Sequence, residues 1–529
     1  MSVGIDVAPM KALLTIPLDR TASDLWSRVD GAYKKAFFAV LVVSILAFGF
    51  EMTNLTIDHD DLWEIFIEDD ILGHYIGRFA FGWLHLYTQG AHIMPFMQVV
   101  EGITVMALYG LLVARLWGLR RTVDIAIVAS VLCVFPYMAQ VNSYNAVIVP
   151  YAIAHLLAAS AVALSTRIDW RRLAAAAALY AGAFLIYQSV VANAATIFVV
   201  WLASSIVFGT RGERLPVREI GKAASAAVIA VGAGSVLYLA IVWYLGVPSD
   251  SYQGASEAFS LEEKGRFLGA LPQVLTGTRA FFFWPEPYFP DYLKKLQLVL
   301  ILGAAIVCAW VPDKWSKKVS GLVLLGASLI TPRLLQFLHP LGTFHNLTLT
   351  AYAVSVAGAV MMLARGGSVF TRNVSTALVS LLIGGYLIQA NWISTVNYLN
   401  TLAQYATMTQ ILARVRAIPS DRWDGKRIVF LGKLSMPSTY PFKHATGVAT
   451  AYIDEQLGGY LVQLLRADLV SVPAGTIPAA AKYAQTHRSW PHEESVAPVD
   501  GVAVVVLSSD SRAASAQSEG DALPPTAPK

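Results

Sequence analysis

Charged residues are scarce in this chain. Of its 529 residues only 14% are Asp, Glu, Lys or Arg, whereas 56% are hydrophobic, and the mean hydropathy is +0.55. A soluble globular protein carries about 25% charged residues, so the composition excludes an ordinary soluble domain and predicts a multi-span membrane protein. The net charge is only +4 and no basic tail is present, which argues against a nucleic-acid partner.

Cysteine is also scarce, and several catalytic patterns are missing. The two cysteines, Cys133 and Cys308, lie inside apolar runs, so they are interpreted as small core residues and not as a disulfide or a metal site. The chain has neither the phosphate-binding pattern GxxxxGK[ST] nor the GxSxG pattern of a serine nucleophile. These absences argue against direct use of a nucleoside triphosphate and against serine-hydrolase chemistry.

Apolar runs long enough to cross a bilayer recur along residues 36–418, and they predict an all-α polytopic domain with about eleven transmembrane helices. The predicted spans cover residues 36–52, 93–114, 123–139, 145–165, 173–189, 191–209, 223–246, 294–311, 319–334, 346–364 and 374–396. The first run follows about 35 polar or mixed residues, so it is interpreted as a retained span and not as a cleaved signal peptide.

Basic residues alternate from loop to loop. With residues 1–35 in the cytoplasm, every predicted cytoplasmic loop carries Lys or Arg, as the positive-inside rule requires. This orientation turns residues 52–92, residues 247–293 and everything after about residue 397 outward. In a bacterium these segments would lie on the outer face of the cytoplasmic (inner) membrane.

The C-terminal segment differs in character from the spans. Residues 427–434 (RIVFLGKL) and 502–508 (VAVVVLS) have the composition of buried strands, and residues 452–469 have the pattern of an amphipathic helix. Residues 420–510 are therefore predicted to form a small extracytoplasmic α/β domain. Residues 511–529 are rich in Ala, Ser and Pro and are predicted to be disordered.

The first outward loop concentrates acidic residues, with eight acids and no Lys or Arg between residues 51 and 70. They are Glu51, Asp58, Asp60, Asp61, Glu64, Glu68, Asp69 and Asp70. Most are interpreted as a solvated face, with Glu68 kept as a candidate substrate-binding residue. Asp60 and Asp61 stand apart, because a carboxylate at the end of a span can take a proton from a hydroxyl nucleophile held at the membrane surface. The pair could also bind a divalent cation, although no further ligand set accompanies it.

Three arginines are candidates for binding a phosphate. Arg78 is the only Lys or Arg in the loop 52–92, and its planar guanidinium suits either a phosphate or an ion pair with one of the acids. Arg333 falls at the outer end of a span, where it needs a phosphate or a structural partner. Arg279 precedes a run of aromatics that ends at Trp284, and such rings either stack on a sugar or form an interfacial belt.

The order of residues in the first loop resembles a known family. The pair Asp60 and Asp61 is followed by fifteen residues and then by Gly77 and Arg78 with aromatics after them (IGRFAFGWL). This arrangement is similar to the first-loop signature of the serotype-converting O-antigen glucosyltransferases, which are multispanning bacterial proteins of the GT-C type.

Two further elements agree with this resemblance. Tyr187 and Gln188 (in LIYQS) lie at the outer end of a predicted span and are similar to a Tyr-Gln element of the family. Residues 391–406 (NWISTVNYLNTLAQYA) resemble the family's exit from its last span. The resemblance covers roughly residues 36–418, and the domain that follows is not part of it.

The resemblance implies that a sugar, such as the hexose glucose, moves from a polyprenyl-phosphate carrier to an acceptor hydroxyl of a polysaccharide or glycolipid on the outer face of the membrane. By analogy with GT-C enzymes, Asp60 or Asp61 would be the base of an inverting displacement, and the sequence does not choose between them. The residues expected to bind the donor phosphate are Arg78, Arg333 and Arg279, and those expected to bind substrate are Tyr187, Gln188, Trp284 and Glu68.

Two other functions fit a polytopic membrane protein. A transporter or flippase for a lipid-linked sugar should show internal repeats and charges at the bilayer midplane. The sequence has no clear repeat, and its polar groups cluster toward one face. A membrane acyltransferase should show a catalytic histidine in a membrane-facing motif, and none is persuasive here.

Overall fold

The computed structural model describes residues 24, 26–57, 61, 77–89, 93–209, 217–246, 268–286, 288–338, 346–436 and 452–508. The helices of the membrane domain are α1 (Gly31–Thr53), α2 (Phe79–Gln89), α3 (Pro95–Leu116), α4 (Thr122–Cys133), α5 (Pro136–Ser143), α6 (Ile148–Ser165), α7 (Trp170–Ile186), α8 (Val190–Phe208), α9 (Val217–Tyr244), α10 (Leu271–Phe283), α11 (Asp291–Trp310), α12 (Trp315–Ile330), α13 (Leu334–Leu338), α14 (Ala351–Gly366) and α15 (Val369–Arg416).

The prediction of a helical multi-span protein is confirmed. Within the described residues nine helices are long and apolar enough to cross a membrane, or ten if the bent pair α4 and α5 counts as one span. A helix occupies each of the eleven predicted positions. The predicted span at 173–189 corresponds to α7, which has 17 residues and is shorter than any of these nine.

A proline divides the third predicted span. Pro136 follows Phe135, whose backbone is extended with ψ of 135°, as expected for a residue before proline. Helix α4 therefore stops before it, and α5 starts at Pro136 with a bend of 51° between the two helices. After the bend, α5 contacts α15 and the segment that precedes α14.

The last membrane helix is much longer than predicted. The expected span at 374–396 lies within the single helix α15, which has 48 residues and runs on without a break to Arg416. At 1.5 Å per residue α15 is about 72 Å long, roughly twice the thickness of the hydrocarbon core of a bilayer. Its C-terminal part therefore extends beyond the membrane and supports the C-terminal domain.

Arg365 brings several basic loops together at one end of the bundle. Its Nη1 donates to the carbonyl oxygen of Trp117 (2.8 Å) and to Oγ of Ser204 (2.6 Å), and its Nη2 donates to the carbonyl oxygen of Gly209 (3.1 Å). The loops predicted to be cytoplasmic thus meet at this end, which we call the Arg365 end. The other end carries Asp61, and we call it the Asp61 end.

The helices of the bundle approach one another closely at glycines. A Cβ atom added to Gly110 of α3 would lie 2.9 Å from the Cβ and 3.0 Å from the Cα of Ala129 on α4. The first contact is closer than real Cβ atoms tolerate and the second is tighter than most, so the α3–α4 crossing depends on the missing side chain at this position.

Gly110→Val is therefore expected to destabilise the fold by about 1–3 kcal/mol, because the two helices must separate to admit the side chain. The measurement is thermal unfolding of the purified protein in one detergent. Gly232→Val is the matched control, since Gly232 is exposed on α9 and nothing lies within 4 Å of a Cβ placed there. Equal unfolding midpoints for the two variants would show that the crossing does not need the glycine.

The C-terminal domain is a small mixed α/β unit. Its elements are β1 (Arg427–Leu431), β2 (Leu434–Ser435), β3 (Tyr452–Ile453), α16 (Glu455–Leu464), β4 (Val470–Ser471), α17 (Pro478–Thr486), β5 (Val496–Val499) and β6 (Val502–Val506). The main sheet has the order β4-β1-β6-β5, with β1 parallel to both β4 and β6 and with β5 antiparallel to β6. The strands predicted at 427–434 and 502–508 are confirmed.

The helix predicted at 452–469 is shorter than expected. Tyr452 and Ile453 instead pair with β2, and the Asp454 side chain accepts from the backbone N–H of Leu457 and so fixes the start of α16 after them. A side-chain cap is local chemistry that hydrophobic periodicity alone does not detect.

The C-terminal domain is fixed to the bundle by α15. Ile428 and Phe430 of β1 face a cluster that includes Met408 and Ile411 of α15, while alternate residues of the same strand face α17, as the two-residue period of a strand requires. Ile57, just after α1, joins the same cluster. The start of the first predicted outward loop therefore joins a cluster that is built from α15 and the C-terminal domain.

Candidate active site

Asp61 is fully buried at the Asp61 end of the bundle. The side-chain amide of Asn145 donates from Nδ2 to its Oδ2 (2.9 Å), and the backbone N–H of Ala146 donates to its Oδ1 (3.2 Å). The same amide also donates to the carbonyl oxygen of Thr56 (2.8 Å). The carboxylate is thus held against the turn between α5 and α6.

The turn that holds Asp61 was not identified from the sequence. Residues 140–144 (QVNSY) form only a short connection between two predicted spans, and Asn145 is the first residue of the second of these spans. In the structure Gln140, Asn142, Ser143 and Asn145 are all buried. A signal was present, because so many polar residues in so short a connection are costly at a membrane end unless they bind something.

Arg78 contacts the predicted Tyr-Gln element. Its Nε donates to Oε1 of Gln188 (3.1 Å), and its guanidinium carbon lies 4.3 Å from the ring centre of Tyr187. Gln188 in turn donates from Nε2 to the hydroxyl oxygen of Tyr238 on α9 (3.0 Å). Three residues that the resemblance placed in one site are therefore neighbours, although 110 positions separate Arg78 from Gln188.

Gly77 allows the chain to reach this position. Its φ is +68°, in the left-handed region, and a Cβ there would lie 2.7 Å from the hydroxyl oxygen of Tyr238. Any other residue would therefore be both strained and crowded. In the Gly-Arg pair of the first loop, the glycine is therefore needed for the backbone conformation and the arginine for its side-chain contacts.

Tyr151 links the surroundings of Asp61 to those of Arg78. It lies on the first turns of α6, shortly after Ala146, and its ring centre is 5.0 Å from that of Tyr187. Its hydroxyl donates to the carbonyl oxygen of Leu347 (2.8 Å) and contacts Oγ1 of Thr350 (2.7 Å). The N-terminal part of α6 thus connects the carboxylate, the first arginine and the segment that precedes α14.

Arg333 lies at the same end in a second polar group. Its Nε donates to the hydroxyl oxygen of Tyr352 (3.0 Å) and its Nη1 to Oε1 of Gln336 (3.3 Å). The Tyr352 ring stacks on Phe281 with centres 3.8 Å apart, so one predicted aromatic of the run 281–284 is a structural support of this arginine. Gly277 leaves the space, since a Cβ there would lie 2.4 Å from the Cζ of Arg333.

Glu286 was missed by the sequence analysis. The Tyr137 hydroxyl donates to its Oε1 (2.6 Å). Burial raises the pKa of the Glu286 carboxyl, while the Tyr137 hydroxyl and the charges of Lys294 and Arg333 lower it in part. The local signal, PEPYFP, is that of an ordinary loop, and the partner Tyr137 is 149 positions away.

One further buried amide belongs to α15, the helix that supports the C-terminal domain. Asn397 of α15 is fully buried, and among the described residues neither its Nδ2 nor its Oδ1 has a hydrogen-bond partner. Such a group is costly unless it meets a ligand or water. Asn397 thus offers both a donor and an acceptor for hydroxyl groups.

Among the described residues, no hydrogen bond or ion pair joins the remaining predicted site residues to Asp61, Arg78 or Arg333. Trp284 and Arg279 are exposed, and within the described part of the chain Arg279 has no hydrogen bond or ion pair. Asp60 and Glu68 lie outside the described residues. Where the structure describes the chain, no group of three or more His, Cys, Asp or Glu side chains could hold a metal ion.

The comparisons with known proteins give one match. The family model described as "Glucosyl transferase GtrII" matches residues 49–363, a stretch that contains Asp61, Arg78, Gln188 and Arg333. No curated protein and no solved structure matches the chain. The matched stretch is more than half of the sequence. The chain therefore belongs to the glucosyl transferase GtrII family and is a multi-pass membrane glucosyltransferase.

Proposed function

We propose that this protein is a GT-C type inverting glycosyltransferase that moves a hexose, such as glucose, from a polyprenyl-phosphate carrier to a hydroxyl of a cell-surface polysaccharide or glycolipid. The observation that carries the proposal is the buried carboxylate of Asp61, held at the bundle end where Arg78 and Arg333 also lie. A lipid-linked donor would place its chain between helices and its phosphate at this end.

In the proposed reaction Asp61 acts as the general base. The acceptor hydroxyl loses its proton to Asp61 while its oxygen bonds to C1 of the sugar. The bond between C1 and the phosphate oxygen breaks, and the electron pair leaves with the polyprenyl phosphate. Attack from the face opposite the leaving phosphate inverts the configuration at C1.

The arginines would stabilise the charge on the leaving phosphate. Arg78 is held by Gln188 and Tyr187 through a neutral acceptor and a ring, so its charge can act on a phosphate. Arg333 is positioned by Tyr352 and is the second candidate. Arg279 is exposed on α10 and would act only on a donor bound over that helix.

Substrate hydroxyls would meet the polar and aromatic groups around these charges. Tyr187 and Gln188 border Arg78, Trp284 offers an exposed ring for stacking, and Asn397 offers a buried amide. Glu68, outside the described residues, belongs to the same first loop. These groups support the binding of a sugar but do not identify it.

The face of the membrane follows in this proposal from charge. The Arg365 end gathers the basic loops, and basic loops stay in the cytoplasm. The Asp61 end and the C-terminal domain would then lie on the outer face of the bacterial inner membrane. A donor presented there must be membrane-linked, because nucleotide sugars are made in the cytosol.

The proposal is tested by reconstituting the purified chain in liposomes with labelled polyprenyl-phosphate glucose and a polysaccharide acceptor. We expect label in the polysaccharide and release of polyprenyl phosphate, with no product when a nucleotide-linked glucose replaces the donor. If label crosses the bilayer without covalent product, the protein is a transporter of a lipid-linked sugar and the proposal is wrong.

Gly277→Ala tests the role of Arg333. The new methyl group would displace the guanidinium, which lies at the end of a flexible side chain, so the fold should tolerate the change. We expect the KM for the donor to rise by up to about tenfold, as for the partial loss of one charge-assisted hydrogen bond. The measurement is steady-state kinetics of transfer.

Gly269→Ala is the control for this substitution, because nothing lies within 4 Å of a Cβ at Gly269, shortly before α10. It should leave the donor KM unchanged. If Gly277→Ala also leaves the KM unchanged, Arg333 does not bind the donor phosphate.

A further inference from the structure

The Arg365 end contains a large cavity that the proposed reaction does not use. Its volume is about 1480 Å³, and it lies between α1, α3, α6, α8 and α9 next to Arg365. Seven basic and two acidic side chains line it. This cavity is at the opposite end of the bundle from Asp61, so its ligand need not take part in sugar transfer.

Three of the seven basic residues already have partners. Arg365 donates to carbonyl and hydroxyl groups of two neighbouring segments. Lys222 pairs with Glu219 (2.6 Å), and Arg172 pairs with Asp169 (4.0 Å). These residues are explained by the fold itself.

Four basic residues of the cavity are not explained in this way. Arg28, Arg115, Arg120 and Arg167 line it, and within the described part of the chain none of them has an ion-pair partner. Four positive charges around one cavity repel one another, and an anion placed among them would relieve the repulsion. A loop that needed charge only for its orientation in the membrane would have no reason to place these residues around a common space.

Apolar side chains line the same cavity beside the basic ones. Leu111, Leu112 and Leu116 of α3 and Trp201 of α8 contribute to it. The ligand that fits basic and apolar side chains around one space at the end of membrane spans is amphipathic and anionic. The volume also exceeds by far that of a free phosphate ion.

We propose that this cavity binds an anionic phospholipid, with the phosphate headgroup among Arg115, Arg120 and Arg167 and the upper acyl chains along α3. The bound lipid would join α1, α3, α6 and α8 at the end where Arg365 already joins their loops. It would act as a structural ligand of the bundle.

The test compares two triple variants of the full-length protein in detergent. Arg115→Gln/Arg120→Gln/Arg167→Gln removes charges from the cavity. Lys314→Gln/Lys317→Gln/Lys318→Gln removes the same number of charges from the start of α12, outside the cavity. Native mass spectrometry measures the bound fraction during titration with phosphatidylglycerol, phosphatidylcholine or inorganic phosphate.

We expect the wild type and the lysine variant to bind phosphatidylglycerol alike, and the arginine variant to bind it on the order of a hundredfold more weakly, since each basic residue near a lipid headgroup contributes about fivefold. Equal weakening in both variants would overturn the proposal in favour of general surface charge. Equal binding of phosphatidylcholine, or tighter binding of inorganic phosphate, would also overturn it. If the triple arginine variant does not fold, each single arginine variant is expected to bind phosphatidylglycerol about fivefold more weakly. Unchanged binding in all three single variants would overturn the proposal.

Discussion

Asp61→Asn is expected to lower the rate of sugar transfer by about 10²–10⁴-fold, the range that a positioned general base contributes. The substitution keeps the shape of the side chain but removes the group that accepts the proton. Donor binding should change little, because the loss falls on the chemical step. The measurement is kcat and KM for transfer, with the unfolding midpoint recorded for each protein.

Asn145→Ala is the control for the structural role of Asp61. It removes the hydrogen bond to Oδ2 and the one to Thr56 but leaves the carboxylate in place. We expect a loss of at most about tenfold, as for a weakened position of the base. If Asn145→Ala and Asp61→Asn lose the same activity, Asp61 holds the turn between α5 and α6 and does not act as the base.

Arg78→Gln is expected to lower kcat/KM for the donor by roughly 10–150-fold, which corresponds to about 1.5–3 kcal/mol for a hydrogen bond to a charged group. Glutamine retains the length and polarity needed near Gln188 but cannot neutralise a phosphate. Arg78→Lys should recover only part of the loss, because an ammonium group lacks the bidentate geometry of the guanidinium. Steady-state kinetics with varied donor concentration measures both effects.

Arg171→Gln provides the matched control for Arg78. The Arg171 guanidinium also lies over an aromatic ring, that of Trp170 at 5.4 Å, but it is exposed at the other end of α7. The Arg171→Gln variant should therefore have the same kcat/KM for the donor as the wild type. If Arg78→Gln lowers kcat/KM for the acceptor and leaves kcat/KM for the donor unchanged, Arg78 binds the acceptor and not the donor phosphate.

The architecture could be predicted from hydropathy and charge because both act over many residues. Long apolar runs marked the helices, and the alternation of basic loops correctly brought segments around Trp117, Gly209 and Arg365 to one end. The break at Pro136 and the continuity of α15 were missed. The break depends on a single residue, and the length of α15 depends on a helix that stays regular after its apolar part ends. Hydropathy averaged over a window detects neither.

The candidate site could be predicted only where a motif carried it. Arg78, Tyr187 and Gln188 were placed together by resemblance, and the structure shows them in contact. Asn145 and Glu286 were missed because their partners are 84 and 149 positions away in the chain. Such contacts arise from packing between helices, and no local pattern records them.

The proposed mechanism is tested most directly by the fate of the anomeric carbon in wild type and in Asp61→Asn. Purified protein is given polyprenyl-phosphate glucose of known anomeric configuration and the acceptor, and the product is examined by NMR. The proposal predicts a glycosidic product of inverted configuration, one polyprenyl phosphate released per bond formed, and almost no product from Asp61→Asn. A product of retained configuration, or equal product from Asp61→Asn, would contradict it.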